Sequence, residues 1–200
     1  EPNSTGRYNA EPTGIIYNSN DGFYYVTNDN ASSLVQYDSL FNPAGIYIDL
    51  KSLECNDPEG LAYDAERDEY YICSGSSGGS KEIFVLDSNF QLVRNFYVGD
   101  RLNDPEGLAV DPETHNLFVV SGGRDNLIAE YDPFGKYIDE YSIQSLMPKP
   151  KGINAMTIVP NENKHGIRIF LGDRGIDNNN TSPGEHSEDG VIYEIIINAK

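Results

Sequence analysis

Pro58-Glu59-Gly60-Leu61-Ala62-Tyr63-Asp64 returns as Pro105-Glu106-Gly107-Leu108-Ala109-Val110-Asp111, 47 residues further along the chain. A weaker copy, Pro12-Thr13-Gly14-Ile15-Ile16-Tyr17-Asn18, lies 46 residues before the first, and Ile153-Asn154-Ala155-Met156-Thr157-Ile158 stands 48 after the second. Four units of about 47 residues therefore fill the 200-residue chain, with approximate bounds 11–56, 57–103, 104–151 and 152–200. A repeat of this period marks an architecture in which no unit can bury its apolar face alone and each packs on its neighbours.

Inside each unit, short β-rich runs recur between turn residues such as Asn20-Asp21-Gly22, Glu66-Arg67-Asp68 and Pro112-Glu113-Thr114. In the second unit the expected strands are 60–63, 69–73, 82–86 and 92–98; in the third, 107–110, 116–120, 127–131 and 137–141. Four strands per repeat is the signature of a β-propeller blade. The expected fold is thus all-β, a single propeller domain over 1–200 with four antiparallel four-stranded blades. The fourth unit ends after its third strand, 191–197, and lacks an outer strand. Either this is a four-bladed ring, closed by a strand such as 5–10 from the other terminus, or it is part of a larger propeller; an open edge would invite pairing with another chain. No segment sustains a 3.6-residue apolar period, which disfavours a helical solenoid.

Gly60, Ala62, Gly107 and Ala109 fall in the first strand of each blade, where blades converge and bulky side chains would collide. Tyr70, Tyr71, Phe84, Phe96, Phe118 and Tyr131 are expected to pack between blades. The pattern Asp-Pro-Glu-Gly-Leu-Ala-(Tyr/Val)-Asp, followed by a turn and a Phe/Tyr-rich strand, resembles the repeats of NHL-type and gluconolactonase-like propellers. The stretch 173–195 is similar to the last blade of extracellular bacterial repeat proteins of this kind. The resemblance covers 11–197 and implies a fold more than an activity.

Charge narrows the partners. Lys and Arg total 14 against 32 Asp and Glu, a formal net charge of −18. Nucleic acid and anionic lipid would be repelled, and no run of about 18 apolar residues is available to cross a membrane. The polar N-terminus shows no signal peptide; a secreted or extracellular protein is expected, its signal taken as already cleaved. Sequons at Asn3, Asn30, Asn179 and Asn180 are surface acceptors in that setting, or simply polar loops.

In a propeller the link between blades and the loop between second and third strands open on one face, and function is expected there. That face should gather Asn56, Asp57, Asn103 and Asp104 as ligand-binding residues, with Thr13, Glu59, Glu106 and Asn154 at matching inner positions. It should also gather the loops 28–33, 74–80, 121–126 and 172–190, which bring Arg124, Asp125 and Arg174. Glu59 and Glu106 occupy equivalent places in adjacent blades; carboxylates so placed recruit a cation or share a proton, or each orders the repeat by accepting backbone amides. Calcium suits such oxygen donors, with Asn154, Asp173 and Asp177 as further candidate ligands, although the acidic loop does not match an EF-hand. In the gluconolactonase-like relatives that the repeat resembles, a metal here polarises a substrate oxygen, which implies Asp104 or Asp173 as general base. The leading expectation is an exported module that binds a small molecule, glycan or protein through its acidic face with calcium ordering the loops. A calcium-dependent lactonase-like hydrolase and an architectural repeat that self-associates through an open blade edge are the alternatives.

Other signals fail on context. Gly75-Ser76-Ser77-Gly78-Gly79 satisfies G-x-S-x-G but lies between strands, whereas a nucleophile elbow needs a strand leading into a helix. Three scattered His and two Cys assemble neither a nucleophile–base set nor a zinc site. Cys55 and Cys73 fall towards the candidate face, as a disulfide or as two buried thiols.

Overall fold

A computed structural model describes residues 11–122, 125–159, 166–175 and 190–198. These form a nearly all-β protein of four antiparallel sheets, one per repeat, which are the blades of a β-propeller. The first blade comprises β1 (Pro12–Asn18), β2 (Phe23–Asn28), β3 (Ser33–Tyr37) and β4 (Pro43–Asp49); the second β5 (Pro58–Asp64), β6 (Glu69–Ser74), β7 (Glu82–Leu86) and β8 (Leu92–Tyr97). The third has β9 (Pro105–Val110), β10 (Leu117–Ser121), β11 (Leu127–Tyr131) and β12 (Tyr137–Ser142), and the fourth β13 (Ile153–Val159), β14 (Ile167–Asp173) and β15 (Val191–Ile197). Strand order is sequential in every sheet, and the fourth holds three strands, as the repeat arithmetic requires. The segment 5–10, considered above as a closing strand, lies outside the described residues.

The chain divides into two compact units, Glu1–Pro105 and Glu106–Lys200. In the first, Tyr25, Leu34, Leu61, Tyr70, Ile72 and Phe84 form a core between the first two blades. Phe118, Val120, Ile128, Ile153, Ile169 and Leu171 do the same in the second unit. Of the aromatics expected in the core, Tyr70, Tyr71, Phe84, Phe118 and Tyr131 are buried, whereas Phe96 on an outer strand is half-buried. Among the described residues no helix is long and apolar enough to cross a membrane.

First strands approach too closely for side chains at their glycines. A Cβ on Gly14 would fall 2.7 Å from the Leu61 backbone nitrogen, and one on Gly107 would meet Asn154 O and Met156 N at 3.0 Å. Backbone contact of this kind admits only glycine. Three of the first strands are also bulged at one place. In β1 the register slips between Pro12 and Gly14, in β5 between Pro58 and Leu61, and in β13 between Ile153 and Ala155. Thr13, Glu59 and Asn154 thus lie in the bulges, where an extra residue leaves the ladder and its side chain is re-aimed.

One element was not legible from the repeat. The link after β4 winds into a 3-10 helix, Leu50–Leu53, capped by the Asp49 side chain accepting the Lys51 amide, with Leu50 fully buried. Asp49 at this position competes well for an otherwise orphaned amide.

Candidate functional site

The loop-bearing end of the first unit is built by hydrogen bonds that tie links to the loops between second and third strands. The Asp29 amide donates to Glu11 O at 3.0 Å, Leu50 N to Ser32 O at 2.8 Å, and Gly75 N to Asp57 O at 2.9 Å. Ser74 Oγ donates to Asn56 O at 2.5 Å, and the Ser76 hydroxyl donates to the Asp104 carboxylate. Links and second-to-third loops therefore do share one end of these blades.

Three carboxylates converge there. Asp29, Asp57 and Glu59 each offer an oxygen, and these atoms lie within 4.8 Å of one another. Asp57 is buried, while Asp29 and Glu59 are half-buried. Each is placed by a different device. Asp57 sits at a positive φ of 57° just before β5, and its Oδ2 accepts the Ser77 amide at 2.8 Å. Glu59 occupies the β5 bulge, and its carbonyl is held by the Thr27 hydroxyl at 2.8 Å while Thr13 Oγ donates to Pro58 O at 2.7 Å. Asp29 follows β2 directly, at the start of the loop to β3.

The Asp57 and Glu59 side chains crowd Gly75. A Cβ there would fall 2.6 Å from Asp57 Oδ2 and 3.1 Å from Glu59 Cγ. Burial, the neighbouring charges of Asp57 and Glu11, and a hydrogen bond with Asp57 push the Asp29 carboxyl above its ordinary range. Like charges held together out of water are relieved by a proton or a cation. Three hard oxygen donors fit calcium in donor type.

Register comparison shows why this group forms where it does. Pro12 pairs with Asn28, Pro58 with Ser74 and Ile153 with Asp173, so the residues that follow second strands are equivalent. They are Asp29, Gly75 and Arg174, and in the third blade Gly122 follows Ser121. Gly75 and Gly122 both lie beneath a glutamate, Glu59 in one blade and Glu106 in the other, each too close for a Cβ. The first blade alone places a carboxylate at this position. Asp29 was not singled out from the sequence; aligning the ends of the second strands, rather than the first, would have revealed it.

The other expected residues are distributed as follows. Asp104 is half-buried and engaged by Ser76, while Asn56 and Asn103 lie in the links at the same end of the first unit. Glu106, Asp125, Asn154, Asp173 and Arg174 belong to the second unit, and neither Glu106 nor Asp173 joins a metal-sized group among the described residues. Asp125 accepts the Ser121 hydroxyl at 2.6 Å. Asp173 is buried and takes three backbone amides, Lys151 at 2.7 Å, Gly152 at 2.9 Å and Gly175 at 2.7 Å. A carboxylate so engaged clasps the loop rather than taking a substrate proton. Arg124 and Asp177 lie outside the described residues. Cys55 and Cys73 are both buried and are not joined in a disulfide. Burial, with Glu82 and Asp57 nearby, pushes the Cys55 thiol up to about 12, which keeps it protonated and unreactive.

No protein-family profile matches the chain, and no curated protein matches it in sequence. Solved structures do match. The chain is similar to hydrazine synthase of Kuenenia stuttgartiensis, with a TM-score of 0.61 at 15% identity over 94% of this chain and 50% of that one. It is similar to a chain of a nidogen/laminin complex, with a TM-score of 0.61 at 20% identity over 83% of this chain and 58% of that one. It is also similar to streptogramin B lyase, with a TM-score of 0.58 at 14% identity over 95% and 56%. The chain spans between half and three-fifths of the length of these structures. Their functions differ, and at these identities what the chain shares with them is the β-propeller fold.

Proposed function

We propose that the chain is an exported β-propeller binding module in which Asp29, Asp57 and Glu59 hold a calcium ion that orders the acidic loops for a small-molecule, glycan or protein ligand. The observation that carries this reading is the convergence of three carboxylate oxygens within 4.8 Å of one another, with no Lys or Arg among the hydrogen-bond donors identified for Asp57. A half-buried site of this kind, using three carboxylates and otherwise neutral donors, belongs with the weak calcium sites of extracellular modules, at dissociation constants of about 10⁻⁴–10⁻³ M. The NHL-like character of the repeat agrees with such a role, as does a net charge of −18 that disfavours nucleic acid.

An enzymatic reading draws on the lyase named in one structural neighbour and on the gluconolactonase-like repeat. The two carboxylates that such a reading would use as general base are otherwise engaged, Asp104 by Ser76 and Asp173 by three amides. Binding is therefore the better-supported function.

Calorimetric titration with calcium chloride tests the proposal. Saturable binding is expected, and it should disappear in the double variant Asp57→Asn/Glu59→Gln. An isotherm that the double variant leaves unchanged would remove the site.

A further inference from the structure

We draw no further inference here: the strongest candidate, the aromatic surface patch of the first blade where the rings of Tyr17, Tyr24 and Phe41 meet, repeats the arrangement of Tyr63, Tyr70 and Phe90 in the second blade, but nothing in the structure shows what covers it.

Discussion

The first two blades meet at both ends, and the two ends treat carboxylates in opposite ways. At the turn-bearing end, Tyr25, Tyr63 and Tyr70 pack with Phe90 at centroid separations of 4.9–5.6 Å. Two acids there meet hydroxyls: Tyr25 donates to Asp21 at 2.7 Å and Tyr63 to Asp68 at 2.5 Å. Asn18 donates to the Tyr70 hydroxyl at 2.5 Å, and Gln36 to that of Tyr25 at 2.7 Å. Burial, reinforced by the acids, raises the Tyr25 and Tyr63 hydroxyls well above their ordinary range, so they remain donors. At the loop-bearing end, Asp29, Asp57 and Glu59 face one another instead. At the first end hydroxyl donors satisfy the acids; at the second, acids crowd one another, the arrangement that the proposed calcium ion would relieve.

That contrast can be broken by substitution. Tyr70→Ala removes a fully buried ring and should cost about 3–5 kcal/mol, read as a fall in the urea midpoint. Asp57→Asn at the other end should leave that midpoint within about 1 kcal/mol, yet weaken calcium binding by about tenfold or more, near 1.4 kcal/mol. Were Asp57→Asn to destabilise the chain as much as Tyr70→Ala, the two ends would not differ in kind. Tyr70→Phe keeps the ring but deprives the Asn18 amide of its acceptor, and about 1 kcal/mol should be lost.

The smallest effect is the most pointed. Because the folded-state affinity of Asp29 for a proton is raised, its contribution is fully present below the unfolded carboxylate range and is lost as pH rises through its folded value. In chelator, Asp29→Asn should therefore stabilise the chain slightly at neutral pH, by less than about 1 kcal/mol. It should also flatten the fall in stability between acid and neutral pH. Added calcium should reverse the ranking, since it favours the ionised wild-type side chain. Thermal melts at several pH values, with and without calcium, measure both.

The fold was legible because it is repeated. Four copies of one innermost strand fixed the blade count, and the strands 82–86, 127–131 and 191–197 fall where the repeat placed them. The site was legible only in part. Asp57 and Glu59 lie in the repeated motif and were found with it, but Asp29 lies where the motif has glycine, and a search for what recurs passes over what departs. The opposing roles of Asp57 and Asp173 were hidden for another reason. Both lie at strand ends, and only geometry shows that one faces other acids while the other is taken up by three amides. The 3-10 helix Leu50–Leu53 is unique to one link and had no counterpart to announce it.

The slipped registers of β1, β5 and β13 each insert one extra residue into the ladder of their blade. Thr13, Glu59 and Asn154 are chemically unlike one another, yet the strands on either side of them keep the same partners. A residue outside the ladder can change from hydroxyl to carboxylate to amide without disturbing alignment. These three blades therefore carry an interchangeable tooth apiece, a place where the side chain can be exchanged while the alignment of the scaffold is kept.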